Sequence, residues 1–243
     1  MGKLDGKVAL VTGASRGIGN GIARALASEG AELALTARGV EALQRTADEL
    51  AKGGARALAV PADLTIEQEV KKVFAKVMEH FGRLDILFNN AGAFDGGPLD
   101  ELPAETWDKV LAINLRAPFL CTREALRIMK RQGGGRIINI GSISAQRVRP
   151  NSAPYSSSKH GLWGLTQVTA LEGRDFGISC GCLHPGNVLI ERRRGTGRKE
   201  DDEPMMSIEE LAETALSMAT LPAHMNMLEA IVLPVGQLYV GRG

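Results

Sequence analysis

The stretch YSSSK places the phenol of Tyr155 four residues ahead of the ammonium of Lys159. Residues i and i+4 share one face of a helix, so a helix here would aim both side chains at a common point. A tyrosine hydroxyl titrates near ~10 in water and exchanges protons at neutral pH only where something stabilises its phenolate. A neighbouring lysine can do that, whereas a surface tyrosine and lysine cannot. Thirteen residues before Tyr155 stands Ser142, whose hydroxyl could steady a developing alkoxide. Asn114 adds a carboxamide further upstream. Both have plainer uses taken singly: an Asn inside a helix can satisfy a local carbonyl, and a Ser after a strand is often a turn residue.

A second device lies near the N-terminus. In VTGASRGIG, residues 11–19, Gly13, Gly17 and Gly19 surround Ser15, Arg16 and Ile18 at the junction of the first expected strand and helix. Glycines there let the backbone turn tightly and approach a pyrophosphate, which sits on the free N–H groups and positive dipole end of the helix. The spacing is G-x-x-x-G-x-G, and Gly-rich turns also join strands to helices in proteins that bind nothing; the position after the first strand gives the pattern its weight. In sites that prefer NAD, an acidic residue near the end of the second strand binds the adenosine ribose. The equivalent here is Ala37, followed by Arg38, and Arg16 lies inside the glycine loop. Two guanidiniums able to fork onto a 2′-phosphate point to NADP(H), with NAD(H) the lesser alternative.

The elements that must position these groups follow from hydrophobic periodicity. KVALVTG, AELALTA, ARALAVPAD, LDILFNN, GRIINIGS, ISCGCLHPG and MLEAIVLPV read as strands, most of them too apolar to have a face in water. Residues 17–29, 40–52, 66–81, 103–132, 153–175 and 207–220 carry the helical period. Strict alternation of the two, with right-handed crossovers, predicts an α/β fold: a Rossmann-type, doubly wound, seven-stranded parallel sheet with helices on both faces. A chain of 243 residues with 44% hydrophobic content suits one such domain, its cofactor half at about 1–140 and its catalytic and substrate half at about 141–243.

Other classes fit poorly. The net charge of +1, from 29 basic and 28 acidic residues, supplies no field for nucleic acid. No apolar run reaches the ~18 residues of a membrane span, and the chain enters its first strand without a signal-like leader, so a soluble, cytoplasmic protein is expected. Cys121, Cys180 and Cys182 have neither redox nor zinc spacing and read as reduced, buried thiols. His80, His160, His184 and His224 make no metal-ligand pattern, so no metal is expected and His184 reads as structural. The late methionines, Met205, Met206, Met218, Met225 and Met227, suit either a pocket lining or the core. Residues 191–204, with Arg192 to Arg194 meeting an acidic block, read as a solvated loop, although the arginines hint at an anionic substrate.

Together these residues amount to a family resemblance. TGASRGIG, the AD pair at Ala62 and Asp63, NNAG at 89–92, Asn114 in AINL, Ser142 in IGSIS, YSSSK, and Pro185–Gly186 occur in order over nearly the whole chain. The sequence resembles the short-chain dehydrogenase/reductases. The resemblance implies a catalytic tetrad of Asn114, Ser142, Tyr155 and Lys159, in which Tyr155 gives its proton to a carbonyl oxygen as NADPH delivers hydride, and Lys159 also holds the nicotinamide ribose. Asn114 would anchor a water linking Lys159 to solvent. Asp63 and Leu64 would lie near the adenine, and Asn89 to Gly92 (Asn90, Ala91 and Gly92 among the contacts) beside the cofactor, with Pro185 and Gly186 at its nicotinamide end. Ile190 stands where many members carry a Thr for the nicotinamide amide, so Val188 is expected to supply that contact from its backbone. The ending IVLPVGQLYVGRG looks more like the branch with 3-hydroxy acid dehydrogenases and sepiapterin-type reductases than like ketoacyl-carrier reductases. The expected function is interconversion of a small carbonyl compound and its alcohol by a homotetramer or homodimer. A catalytically idle NADPH-binding regulator is the alternative, and sugar-nucleotide epimerisation ranks last for want of a second domain.

Overall fold

A computed structural model describes residues 2–191 and 203–239. One parallel sheet of seven strands runs in the order β3-β2-β1-β4-β5-β6-β7. Its strands are β1 (Val8–Thr12), β2 (Glu32–Thr36), β3 (Ala57–Ala59), β4 (Ile86–Asn89), β5 (Gly135–Ile140), β6 (Ile178–Pro185) and β7 (Glu229–Val232). Side chains alternate across it. Val8 and Leu10 enter one core with Leu87, Ile137 and Cys180, whereas Ala9 and Val11 enter the other with Leu33, Leu35, Phe88 and Leu183. Helices α1 (Gly17–Ser28), α2 (Val40–Lys52) and α7 (Ile208–Ala219) cover the second face through Ile22, Leu26, Leu43, Leu50 and Leu211. Helices α3 (Glu67–Phe81) and α5 (Ala117–Gln132) cover the first through Val70, Phe74, Val77, Leu120 and Met129. The crossing from β1 to β4 reverses the winding, which opens a crevice beyond the carboxyl ends of those two strands.

Local chemistry sets the ends of these helices. Gly82 and Gly133 take left-handed conformations and stop α3 and α5. A reciprocal capping box between Ser207 and Glu210 starts α7. At the amino end of the central strands, the buried Asp85 accepts hydrogen bonds from Val8 N–H, Lys7 and two nitrogens of the Arg83 guanidinium, tying β1 to β4. Burial alone would raise its pKa, but these donors and charges outweigh it and hold the carboxyl below its ordinary value.

Two expectations need correction. Uniform burial fails at the sheet's edges: β3 is only three residues and half-buried, and β7 alternates exposed and half-buried positions, because each has a neighbour on one side only. The helix expected at 103–132 is three segments: α4 (Ala104–Leu111), a π turn over Ala112–Arg116, and α5. The π turn widens the backbone by one residue per turn, and its buried member is Asn114. Of the late methionines, Met206 and Met218 are core residues, while Met225 is exposed. Arg192 to Arg194 lie outside the described residues.

Candidate active site

Helix α6 (Ala153–Gly173) carries Tyr155 and Lys159. Pro154 in its first turn has a φ already suited to the helix, so α6 begins immediately before the tyrosine. Tyr155 is half-buried and Lys159 is 5% exposed. The Lys159 Nζ donates to the carbonyl of Ile140 at 2.7 Å and lies 5.6 Å from the centre of the Tyr155 ring. The β4–β5 ladder ends at Asn89 opposite Asn139, so the next carbonyl, that of Ile140, has no β4 partner and the ammonium takes it. Lys159 has three donors; one is used among the described residues, and no carboxylate forms an ion pair with it there. A buried charge so incompletely matched is costly to keep.

Ser142 follows β5. Gly141 still bonds to Leu183, but Pro185 has no N–H to continue the ladder, and the chain turns into a short 3-10 helix over Ile143–Ala145. The Ser142 hydroxyl oxygen accepts from Ser144 N–H at 3.1 Å. Its proton therefore remains available to a second acceptor. Phe94 stands edge-on to the Tyr155 ring at 5.0 Å, and the Arg149 guanidinium lies 5.8 Å over Phe94.

Asn114 is fully buried. Its Oδ1 accepts from Ala93 N–H and its Nδ2 donates to Ala93 C=O, both at 2.8 Å, with a further bond to Ser158 Oγ at 3.1 Å. Satisfying a local carbonyl, one of the two sequence readings, thus describes part of what it does, but the carbonyl belongs to the loop after β4 and not to its own helix. By clamping Ala93 on both sides, Asn114 fixes that loop beside α6.

The segment after β4 threads between the glycine loop and Asn114. Thr12 Oγ1 accepts from the N–H groups of Asn90 and Ala91, each at 2.9 Å, and the Asn90 amide returns a bond to Thr12 C=O. A Cβ on Gly13 would come within 2.9 Å of Ala91 Cα, and one on Gly19 within 2.4 Å of the Asn90 amide. These two glycines are thus required by the NNAG segment, a use the glycine spacing did not reveal. Gly17, like Gly13, has a positive φ (+57) that favours glycine, but among the described residues only Ile190 comes within 4 Å of a Cβ built on it. Asn89 departs from expectation. Its side chain does not enter the crevice but bonds to Asn139 and Thr122 beneath it, with Asn139 bonded on to Thr166.

At the outer end of the crevice Arg16 and Arg38 are exposed and make no ion pair among the described residues. Ser15 and Ile18 are half-buried in the same loop. Leu64 is buried, and Asp63 accepts from the backbone and hydroxyl of Thr65. Burial would raise the Asp63 pKa; the Thr65 bonds and the charge of Arg38 overcome it and hold the carboxyl low. At the inner end, Gly186 admits Gln237, whose side chain would lie 2.2 Å from a Cβ there and which accepts from Asn187 N–H. The Val188 carbonyl accepts from Ile190 N–H, while the Val188 N–H has no partner among the described residues. The thiols of Cys121 and Cys182 are pushed up to about 12 by burial, and Cys180 is raised likewise.

These residues fit a nicotinamide dinucleotide on three observations. The first turn of α1 has no side-chain cap, since Arg16 at its start is extended and caps nothing. A Cβ on Gly17 would meet nothing nearer than Ile190 at 3.9 Å among the described residues, and Lys159 and the Val188 N–H keep donors unused there.

The short chain dehydrogenase family model matches residues 7–201. An uncharacterized oxidoreductase of Bacillus subtilis is 36% identical over 95% of this chain and 97% of its own length. A D-beta-hydroxybutyrate dehydrogenase of Rhizobium meliloti is 39% identical over 75% of this chain and 72% of its own. Among solved structures, a metagenomic short-chain oxidoreductase in complex with NADP superposes with a TM-score of 0.84 at 34% identity, covering 96% of this chain and 98% of that one. The chain belongs to the short-chain dehydrogenase/reductase family of oxidoreductases.

Proposed function

We propose that the protein is an NADP(H)-dependent oxidoreductase that interconverts a ketone or aldehyde with its alcohol, using Tyr155 as general acid and base. The observation that carries this reading is the buried Lys159 ammonium, without a counter-charge among the described residues, one helical turn beyond Tyr155. A fold gains nothing from such a charge unless chemistry uses it.

The bound nicotinamide supplies or accepts the hydride. In reduction, the substrate oxygen lies between the Tyr155 and Ser142 hydroxyls. Ser142 donates the proton left free by its bond from Ser144, and Tyr155 transfers its own proton to the oxygen as negative charge develops there. Lys159 stabilises the resulting phenolate, and its spare donors hold the adjacent ribose. Asn114 keeps Ala93 in place, and so keeps the loop that shapes the crevice behind the reacting atoms. Val188 N–H would hold the nicotinamide carboxamide.

Arg16 and Arg38 carry the NADP preference, supported by their exposure, by the uncharged Ala37 and by the NADP bound to the metagenomic relative. Asp63, held ionised, keeps Arg38 oriented without a direct ion pair. Titration of the protein with NADPH and NADH, followed by nicotinamide fluorescence, checks this. Charge-assisted bonds contribute ~1.5–3 kcal/mol each, so Arg38→Ala should weaken NADPH roughly 10- to 100-fold and leave NADH within about twofold. Equal loss for both cofactors would contradict the assignment.

Self-association is supported by the outer faces of α5 and α6, where Phe119, Val168 and Leu171 are 45%, 50% and 62% exposed. A dimer or tetramer would cover them. Light scattering should give two or four times the mass of 25.9 kDa, and a monomer would refute it.

A further inference from the structure

His184 is fully buried on β6, and its ring meets the backbone of Ser142. Nδ1 lies 2.9 Å from Ser142 C=O and 3.3 Å from Ser142 N–H. On the other side, Nε2 lies 3.5 Å from a Glu229 carboxylate oxygen on β7 and makes no hydrogen bond. Glu229 accepts in turn from the Gln146 amide, and Gln146 accepts from the Tyr239 hydroxyl at 2.5 Å. Trp163 packs edge-on against the imidazole, and the ring fits only because residue 141 is glycine: a Cβ there would come within 2.6 Å of Nδ1.

A neutral imidazole has one N–H and cannot satisfy both sides. With the proton on Nδ1, the ring donates to Ser142 C=O and turns a lone pair toward the Glu229 carboxylate. With the proton on Nε2, the ring faces Glu229 correctly and Nδ1 can accept from Ser142 N–H at 3.3 Å, but its lone pair then opposes the nearer Ser142 C=O. The doubly protonated ring satisfies both contacts. Burial opposes that form, and so does the Lys159 ammonium on α6; the Ser142 carbonyl and Glu229 favour it, and the net pKa lies below that of a free histidine. The remaining titratable neighbour, Cys182 on the same strand, is held neutral by burial. Glu229 has a third of its side chain in solvent, which gives the ring a route for proton exchange.

We propose that His184 is the positioning residue of Ser142: it holds the serine peptide so that the hydroxyl meets the substrate oxygen. This rests on the reading of Ser142 as a hydrogen-bond donor to substrate. Pro185 removes the ladder bond that would otherwise fix this turn, and the imidazole takes its place. The proton on Nδ1 ties down the Ser142 carbonyl, and the 3-10 turn then orients Oγ through Ser144 N–H.

The test combines steady-state kinetics on the best carbonyl of a substrate panel with imidazole nitrogen NMR of histidine-labelled protein, which needs no substrate. An asparagine places its amide near the position of Nδ1 and cannot reach Glu229. Accordingly, His184→Ala should lower kcat about 30-fold with NADPH affinity unchanged, and His184→Asn should recover most of it. Glu229→Gln removes a group that raises the His184 pKa, so the imidazole titration read by NMR should move to lower pH. Equal kcat in His184→Ala and wild type, or equal losses in the Ala and Asn variants, would overturn the proposal. Ser142→Ala separates the two claims: if it retains full turnover, the serine assignment has failed rather than the role of His184.

Discussion

Tyr155→Phe is expected to lower turnover by about three orders of magnitude while leaving NADPH binding and the unfolding midpoint essentially as they are. General acid catalysis by a positioned side chain contributes ~10²- to 10⁴-fold, and phenylalanine has no proton to give. The ring itself stays. Phe keeps the edge-on contact with Phe94 and the face toward Lys159, and the hydroxyl that is lost forms no hydrogen bond among the described residues. Stability therefore has little to lose. Stopped-flow consumption of NADPH, run beside thermal unfolding of the same preparations, separates the two effects. Equal turnover in both proteins would remove Tyr155 from the chemistry.

Lys159→Met should produce the opposite of the usual core mutation, a large loss of function with little loss of fold. Methionine follows the lysine stem in volume but carries no charge into the interior. Leaving the Ile140 carbonyl unpaired costs ~1–3 kcal/mol, and removing a desolvated ammonium without a counter-ion returns a similar amount, so the stability should remain within about 1 kcal/mol of wild type. Turnover should fall at least 100-fold, because Tyr155 loses the cation that stabilises its phenolate. NADPH binding should weaken as well, since two of the lysine donors are open to the ribose. Chemical denaturation and kinetics on the same variant decide this. A variant that unfolds several kcal/mol early would mark Lys159 as a structural residue.

Much of this site was legible because its chemistry depends on short-range spacing. Tyr155 and Lys159 share a helix face by arithmetic alone, and the glycine loop follows the first strand as the alternating pattern requires. The parallel sheet was legible for a related reason: continuous apolar runs such as VALVT and IINI suit interior parallel strands. The edge strands misled because apolar composition does not reveal how many neighbours a strand has. Asn114 was named without its geometry, since nothing local signals a π turn and its partner, Ala93, is 21 residues away. The same limit hid Thr12, which holds Asn90 and Ala91 from 78 and 79 residues away, and displaced Asn89, which faces Asn139 and not the crevice. His184 was passed over because a histidine before a proline has no spacing to mark it. Its meaning comes from Ser142 and Glu229, 42 and 45 residues to either side.

The central claim is that the protein moves hydride between a nicotinamide and a carbonyl carbon under the control of Tyr155. Its most direct test is turnover with NADPH deuterated at the transferable position, against a panel of 3-oxo acids, diketones, quinones, cyclic ketones and aldehydes, with the product alcohol read by mass spectrometry and NMR. The account predicts that at least one member of the panel is reduced with deuterium on its carbinol carbon, one label per NADPH consumed, and that the Tyr155→Phe protein forms none. If NADPH binds and is consumed by neither protein anywhere on the panel, the crevice is a cofactor-binding site without reductase chemistry, and the catalytic reading is wrong.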